Sequence, residues 1–400
     1  MIRFRIKNFG PVSHIQTGDG FLEVRKFSFF IGPQGSGKSS VLKLLSTFMW
    51  LEKALVRKDV TVRKAAAGFV RRHCGYFGID KYFHADTELI FQGSCAEFVY
   101  RSGKLEVKLK NDKYILPKLM YIPAERNFLS VFPGSRMLKN LPFSLADFLV
   151  EFDNARQAVK SPVQLPLAGV SFEYDALNKV SWIVRDNNKT RLEHSASGFQ
   201  SALPMLLVSG NLSDLLFRPK NHSVQERSLD EIQRIRKELE KLLHHSADDE
   251  LIKSTVEQLR MKYAASCFVN LVEEPEQNLY PASQAAVLFD LIRYANKVPE
   301  NLLLVTTHSP YIINSLTLAV KAYMLKKLRP GKFSERIAEI VPEEAFVNPE
   351  DYVVYQLNDA GAISPLAQYE QLPSDENLLN AALGQFNSDF DTLLEIEDED

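Results

Sequence analysis

The stretch IGPQGSGKSSVLKLL, residues 31–45, restricts the fold of this chain more than any other part of its sequence. It matches the pattern G-x-x-x-x-G-K-[ST], in which glycines let the backbone curl around phosphates with its N–H groups pointing inward. The lysine of the pattern reaches the outer phosphates, and the hydroxyl after it binds Mg²⁺. The residues predicted to bind the nucleotide are Gly32, Pro33, Gln34, Gly35, Ser36, Gly37, Lys38, Ser39 and Ser40. We therefore expect a site for ATP and Mg²⁺, with Ser39 as one metal ligand.

The residues on either side of this loop have the pattern that such a loop requires. Residues 27–31, FSFFI, are typical of a buried strand, and the residues after the loop are typical of a helix. The apolar side chains on one face of that helix are Val41, Leu44, Leu45, Phe48 and Met49. A strand, a glycine loop and a helix in this order favour true phosphate binding over a chance match.

A second group of polar residues follows a buried strand far downstream. The stretch CFVNLVEEPEQNLYP, residues 267–281, begins with apolar residues and then places Glu273 and Glu274 at the end of the strand. Phosphate-loop enzymes need one acidic group for the magnesium shell and often a second group to orient the attacking water. We assign Glu273 to the metal and Glu274 to the water. The alternative is an exposed acidic turn ended by Pro275.

Two further stretches carry candidate residues for the same site. His308 follows another predicted buried strand, residues 302–306, and ligands bind at the ends of parallel strands, so we expect His308 to contact the γ-phosphate. A structural hydrogen bond from this histidine is the alternative. Ser197, Gly198 and Gln200 lie in a turn, SGFQ, before an apolar helical run. Such a turn offers N–H groups and a hydroxyl to an anion, although a plain helix cap is the simpler interpretation.

Charge is distributed unevenly along the 400 residues. No Lys or Arg follows Arg336, and residues 337–400 contain 16 acidic side chains, whereas the preceding part carries 48 basic and 34 acidic ones. A basic body suits an anionic partner, and an acidic end suits a basic one. The cysteines, Cys74, Cys95 and Cys267, fit no zinc or disulfide spacing, which favours buried thiols in a reducing cytoplasm. Long apolar runs are missing, so neither a membrane span nor secretion is expected.

The motifs, in their order along the chain, resemble the head of an ATP-binding-cassette (ABC) ATPase of the SMC, RecF and OLD-like branch. The phosphate loop, SGFQ, EEPE and THSP resemble the phosphate loop, signature sequence, acidic strand and switch histidine of that branch, and IRFRIKNFGPV resembles its first strand. YIPAERN, SASGFQSALP and EEPEQNLYP further resemble stand-alone ATPase subunits of bacterial anti-phage systems of the PARIS and Septu kind. The resemblance covers residues 1 to about 345.

The resemblance implies slow ATP hydrolysis by a homodimer, or a larger homo-oligomer, that holds ATP between its subunits. In this family the signature turn of one subunit closes over the nucleotide bound by the other. Ser197 and Gly198 of one copy would therefore complete the site around Lys38 of a second copy, and Gln200 belongs to the same turn.

The chain departs from the family pattern at several positions. Glu273 stands where the family usually has Asp, and Phe199 stands where the signature has its second glycine. Gln92, in LIFQG, is one candidate for the family's lid glutamine. Glu125 and Arg126, in PAERN, are candidates for residues near the nucleotide.

The predicted fold class is α/β, an ABC-type head of the phosphate-loop NTPases with a mixed sheet, a helical lobe and a short coiled-coil hairpin. The expected divisions are an N-terminal ATPase lobe at 1–135, a helical lobe with signature and hairpin at 136–265, a C-terminal ATPase lobe at 266–345 and an acidic segment at 346–400. The hairpin is predicted from SLDEIQRIRKELEKLLHH and SADDELIKSTVEQLRMKY, which place apolar residues at helical spacing.

Three functions fit these features. The first is an ATPase that senses infection and acts as the regulatory scaffold of a two-component anti-phage system, with a separate effector protein, favoured to be a nuclease. After His308 the acidic residues are scattered, so we expect any cutting to be done by another polypeptide. The second is a RecF- or SMC-like ATPase that binds DNA in repair, through basic residues such as those of a predicted helical span at 53–73. The third, a scaffold without turnover, is disfavoured by Glu274 and His308.

The acidic end divides into two parts. Residues 337–371 are expected to be folded, with a last strand in DYVVYQL, and apolar residues then recur at helical spacing between 378 and 394. An amphipathic helix with acidic residues can dock on a basic surface. Three docking sites are open: the basic body of a neighbouring subunit, a basic effector, or the body of the same chain.

Overall fold

A computed structural model describes residues 2–131, 141–167, 169–186, 188–217 and 264–398. The strands are β1 Ile2–Phe9, β2 His14–Ile15, β3 Leu22–Val24, β4 Phe27–Ile31, β5 Phe83–Gln92, β6 Ala96–Arg101, β7 Lys104–Leu109, β8 Pro117–Ile122, β9 Val163–Gln164, β10 Ser171–Asp175, β11 Val180–Arg185, β12 Asn188–Arg191, β13 Cys267–Glu273, β14 Leu302–Thr307, β15 Tyr352–Leu357, β16 Ala362–Pro365, β17 Gln368–Tyr369 and β18 Leu372–Pro373. The α-helices are α1 Lys38–Val56, α2 Val62–Gly68, α3 Phe128–Val131, α4 Phe143–Ala158, α5 Ser197–Leu215, α6 Pro281–Asn296, α7 Pro310–Leu328, α8 Ser334–Ala338 and α9 Leu378–Asp398. A π-helix at Phe69–Cys74 and 3-10 helices at Gly75–Phe77, Ala124–Asn127, Leu192–His194 and Glu343–Ala345 complete the set.

The central sheet contains seven strands in the order β2-β16-β15-β4-β14-β13-β8. The strands from β15 to β8 run parallel to one another, while β16 is antiparallel to β15, so the sheet is mixed. Side chains of β4 alternate between the two faces, with Phe27, Phe29 and Ile31 in one core and Phe30 in the other. A strand that is buried on both faces needs a continuous apolar run, which FSFFI supplies.

Helix α1 packs against one face of the central sheet and also against a five-stranded antiparallel sheet, β3-β1-β5-β6-β7. The ring of Phe48 lies 5.2–5.5 Å from the rings of Phe4, Phe69, Phe91 and Phe98. Aromatic pairs at this distance contribute about 0.5–1.5 kcal/mol each beyond the area that they bury. The predicted apolar face of α1 is buried as expected, and most of its remaining surface is buried too, because the second sheet covers it.

The other face of the central sheet is covered by α4, α5, α6 and α7. The four-stranded sheet β12-β11-β10-β9 contributes Phe172 and Ile183 to the same core. Residues 169–193 supply three of these four strands, β10, β11 and β12. Phe199, in the signature turn, packs against this core as a partly buried side chain.

The predicted α/β fold class with a mixed sheet is confirmed. The phosphate loop joins β4 to α1, the acidic stretch ends β13, and His308 follows β14. These three strands are neighbours in the parallel part of the sheet, so the predicted site residues come from one edge of it. The predicted helical hairpin lies within 218–263, outside the described residues.

Two sequence-based expectations differ from the structure. The basic span at 53–73 is not one helix, because the chain turns at Lys58, with φ of 61°, before α2 and the π-helix begin. The last helix, α9, does form, but its side chains beyond Asn380 are exposed, so its own chain covers only the start of the helix, at Leu379. The three cysteines are free thiols and buried, as expected. Among the helices that the structure describes, none is long and apolar enough to cross a membrane.

Candidate nucleotide-binding and hydrolysis site

The phosphate loop has the left-handed backbone that its glycines allow. Gly32, Gly35 and Gly37 have φ angles of 145°, 82° and 102°, a region that residues with a Cβ rarely adopt. A Cβ at Gly32 would lie 2.2 Å from the carbonyl oxygen of Leu357, because β15 runs directly beside the loop. The motif glycine is therefore required both by the curl of the loop and by the neighbouring strand.

Lys38 closes the loop from inside. Its buried ammonium group donates hydrogen bonds to the carbonyl oxygens of Gly32 and Pro33, at 2.9 and 2.7 Å. Burial lowers the pKa of Lys38 to about 8, and the charges of Glu274 and Glu276 oppose this shift. Lys38 therefore stays mostly protonated at neutral pH, as a phosphate-binding lysine must, and the two carboxylates lie close enough to influence it.

Glu273 has the properties of a metal ligand. Its Oε2 accepts a hydrogen bond from the backbone N–H of Ala124 at 3.2 Å, whereas Oε1 has no hydrogen-bond partner among the described residues. A buried, unpaired carboxylate oxygen is unfavourable unless a cation or water satisfies it. The described residues contain no cluster of three or more acidic, histidine or cysteine side chains that could hold a metal alone. The free oxygen of Glu273 is a donor of the kind that Mg²⁺ prefers, and the Ser39 hydroxyl of the phosphate loop is the second candidate ligand.

Glu274 and His308 face each other beside the loop. The Oε1 of Glu274 lies 3.2 Å from Nε2 of His308, and both side chains are about one-third exposed. The hydrogen bond from His308 is the largest cause that lowers the pKa of Glu274, with further lowering by the charges of His308, Lys38 and Arg126. Glu274 is therefore ionised at neutral pH and can orient a water molecule. Its φ of 44° is strained for a residue with a Cβ, and such strain is common at functional sites.

Glu276 was missed in the sequence, although it is the third acid of EEPE. Its buried carboxylate accepts hydrogen bonds from the Thr307 hydroxyl at 2.8 Å and from the His308 backbone N–H at 2.7 Å. Burial raises the pKa of Glu276. The contacts tie the loop after β13 to the end of β14, so Glu276 fixes the backbone that carries His308.

The signature turn lies at the first turn of α5. Ser197 is exposed there, and the first N–H groups of a helix have no intrahelical partners. A Cβ at Gly198 would lie 2.9 Å from the carbonyl oxygen of Asn278, so the glycine lets this turn approach the acidic loop. The side-chain amide of Gln200 donates to three carbonyl groups of the preceding segment, the shortest bond being 3.0 Å to Ser195. Gln200 thus shapes the turn.

Arg126 lies beneath the site and is fully buried. Its guanidinium donates to the carbonyl oxygens of Glu273 and Glu274, both at 2.6 Å, of Pro123 at 3.2 Å and of Ser201 at 3.0 Å. Burial lowers the pKa of Arg126 to about 10, so it keeps its charge at neutral pH. One side chain therefore joins the acidic strand end to helix α5, and nothing in the sequence pattern reveals these bonds.

Two other sequence candidates point elsewhere. The side chain of Gln92 donates to Glu97 on the neighbouring strand at 3.1 Å, within the antiparallel sheet. Glu125 is exposed. The structure brings together the phosphate loop, Glu273, Glu274 and His308 at adjacent strand ends. It places the sequence candidate Arg126 with them and adds Glu276.

We expect Lys38→Ala and Glu274→Gln to separate binding from hydrolysis. Loss of the buried charge at Lys38 should weaken ATP binding by about 30-fold or more. Glu274→Gln should keep binding and lower turnover by about 10²–10⁴-fold, because an amide cannot accept the proton of water. Titration with a fluorescent ATP analogue and phosphate release measure the two effects, with exposed Glu125→Gln as control. Wild-type turnover in Glu274→Gln would remove Glu274 from this role.

We expect Arg126→Lys to impair turnover more than binding. Lysine keeps the charge but lacks the planar fork that serves four carbonyl groups, and each buried group left unpaired costs about 1–3 kcal/mol. The variant should unfold at lower urea concentration and lose at least about tenfold in kcat per folded molecule, with ATP affinity near that of the wild type. Arg156→Lys, a partly buried arginine of the helical lobe, is the control. Unchanged kcat would show that Arg126 serves stability alone.

Comparison with known proteins gives no match to a family model and none to a curated protein. Among solved structures, the chain is similar to the SMC head domain from Thermotoga maritima at 11% identity, with 92% of this chain and 98% of that chain covered and a TM-score of 0.37. It is similar to an Smc head domain with an extended coiled coil from Pyrococcus furiosus, bound to the C-terminal domain of ScpA, at 9% identity, with 99% and 100% covered and a TM-score of 0.38. A dimeric ATP-binding cassette bound to ADP and Pi has 10% identity, 92% and 100% coverage and a TM-score of 0.27.

Proposed function

We propose that this chain is an Mg²⁺-dependent ATPase that works as a homodimer or larger homo-oligomer and acts as the sensor and regulatory scaffold of a two-component anti-phage system. The observation that carries the catalytic part is the Glu274–His308 pair beside the buried ammonium group of Lys38. A chain that only bound ATP would need the lysine and the loop but no ionised carboxylate paired with a histidine. The regulatory part is supported by the motifs YIPAERN, SASGFQSALP and EEPEQNLYP.

The residues divide the reaction between them. The loop N–H groups and Lys38 bind the β- and γ-phosphates, and Ser39 and Glu273 hold the magnesium ion, which neutralises phosphate charge when bound. Glu274 accepts a hydrogen bond from the attacking water and takes its proton as the water approaches the γ-phosphorus. His308 donates a hydrogen bond to the γ-phosphate and keeps Glu274 oriented through its own contact with that carboxylate.

A second copy of the chain completes each site in this proposal. The exposed first turn of α5, with Ser197 and Gly198, presents N–H groups of the positive end of a helix, which favour an anion. Arg126 links the same helix to the acidic strand end of its own chain. The γ-phosphate bound at Lys38 of one copy therefore contacts the start of α5 of the other copy. The two copies close on each other only when ATP is bound.

Mixing two inactive variants tests this arrangement. Lys38→Ala and Ser197→Arg damage opposite halves of a shared site, so a mixed dimer keeps one undamaged site. An equal mixture should recover about a quarter of wild-type hydrolysis, because half of the dimers are mixed and each has one working site of two. Lys38→Ala mixed with Glu274→Gln is the matched control and should recover nothing, since both residues act in the same half. Equal activity in the two mixtures would contradict the shared site.

The effector is a separate polypeptide, favoured to be a nuclease, and DNA is the alternative partner. An observation that favours the alternative is a group of four exposed basic side chains on α2 and the π-helix, Arg63, Lys64, Arg71 and Arg72. Two other basic residues of that span, Lys53 and Arg57, are buried, and Arg57 pairs with Asp59 at 2.9 Å.

Co-expression with the products of neighbouring genes distinguishes the two functions. A regulatory scaffold should co-purify with one of them, and the amount bound should differ between Lys38→Ala, which stays empty, and Glu274→Gln, which keeps ATP. A DNA-repair ATPase should instead show hydrolysis that duplex DNA stimulates and that Arg71→Glu with Arg72→Glu abolishes. Stimulation by DNA without any co-purifying protein would overturn the regulatory proposal and favour the repair function.

A further inference from the structure

Helix α9 presents a regular apolar seam that its own chain covers only at Leu379. Leu379, Leu383, Phe386, Phe390 and Leu393 follow one another at spacings of four and three residues, the repeat of a two-helix seam. The last four of these side chains are between 54% and 73% exposed. An amphipathic stripe of this length has a reason to exist only when another surface covers it.

The start of α9 is fixed to the body, which directs the helix away from it. Asn377 is buried and caps the helix, since its Oδ1 accepts the N–H groups of Leu379 and Asn380 at 3.1 Å. Its Nδ2 donates to Ser374, and Gln356 of β15 accepts the N–H of Leu378.

The second half of α9 needs positive charge from outside. Five acidic residues, Asp389, Asp391, Glu395, Glu397 and Asp398, lie in the last ten positions, and no basic residue lies in the helix. Carboxylates near a helix C-terminus oppose the macrodipole and destabilise the helix. A basic surface beside this half removes the repulsion, whereas the first half carries no charge at all.

Helix α7 has a matching exposed face. Six exposed residues recur at spacings of three and four: Tyr311, Asn314, Leu318, Lys321, Leu325 and Leu328. The first half of α7 is uncharged, and basic residues gather at its end and just beyond it, at Lys321, Lys326, Lys327, Arg329, Lys332 and Arg336. Between Lys321 and Arg336 the only acidic residue is Glu335, which gives this segment a charge of +5 against −5 for α9, and one of its lysines, Lys326, pairs with Glu343 of the same chain.

We propose that α9 of one copy docks along α7 of a second copy of this chain, as an interface separate from the nucleotide site. Parallel alignment places neutral half on neutral half and acidic half on basic half. The two seams then mesh with Leu318 opposite Leu383, Leu325 opposite Phe390 and Leu328 opposite Leu393, at the shallow angle of paired helices. Exchange of the two α9 helices makes a closed dimer, in which each copy covers the seam of the other.

The test uses the full chain carrying Lys38→Ala, without nucleotide, so that no ATP-dependent contact contributes. Phe390→Ser with Leu393→Ser removes apolar side chains from the seam of α9. Leu325→Ser with Leu328→Ser removes apolar side chains from the matching face of α7. Each double variant should raise the dimer dissociation constant in sedimentation equilibrium by at least about tenfold. Gln385→Ser with Ser388→Ala, on the polar side of α9, should change it less than about twofold. Raising salt from about 0.05 to about 0.5 M should weaken the unmodified dimer.

Mixing the two double variants distinguishes exchange between copies from any contact within one. A mixed pair keeps one intact α9 helix and one intact α7 face, so the mixture should form dimers that neither variant forms alone. A disulfide between Leu318→Cys in one copy and Leu383→Cys in the other should form, whereas Leu318→Cys with Leu393→Cys should not, if the helices are parallel. A monomeric parent chain, or a seam variant that dimerises like the parent, would overturn the proposal without touching the ATPase function.

Discussion

The buried guanidinium of Arg126 is the contact on which the arrangement of the candidate site depends. It donates to carbonyl oxygens of Glu273, Glu274 and Ser201, so the end of β13 and helix α5 share one donor. Taking a charge out of water is costly, and here four hydrogen bonds and nearby carboxylates offset that cost. The relation is mutual, because three acidic side chains within four residues would repel one another without a cation beneath them.

Hydrogen bonds connect the signature turn at the start of α5 to His308 at the end of β14. The signature turn cannot move as a unit without disturbing Ser201, which is bonded both to Arg126 and, through its hydroxyl, to Gln277 at 2.9 Å. The loop that carries Gln277 also carries Glu276, whose carboxylate holds the backbone of His308. Displacement of α5 by a partner subunit would therefore be transmitted to the histidine through hydrogen bonds that have definite lengths and directions.

The sequence was sufficient where the determining pattern is local. FSFFI and the phosphate loop are contiguous, and each acid or histidine candidate directly follows an apolar strand, so periodicity placed them at one sheet edge. The sequence was not sufficient where contacts with a distant segment determine the burial or the role of a residue. Burial of α1 on nearly all sides depends on a sheet that closes over it, and the break after Val56 depends on Arg57 and Asp59 pairing in a turn. The roles of Arg126 and Glu276 arise only from tertiary contacts.

The uneven charge of the chain acquires a structural meaning in α7 and α9. Both helices are neutral in their first halves and charged in their second halves, with opposite sign, and the side chains of α9 beyond Asn380 are exposed within one molecule. Complementary surfaces that are both exposed in one copy can pair between two copies. Helix α7 begins two residues after His308, so a helix that docks on α7 contacts the element that directly follows the histidine. In that arrangement the nucleotide site lies at the start of α7, and the acidic half of a docked α9 lies along the end of α7.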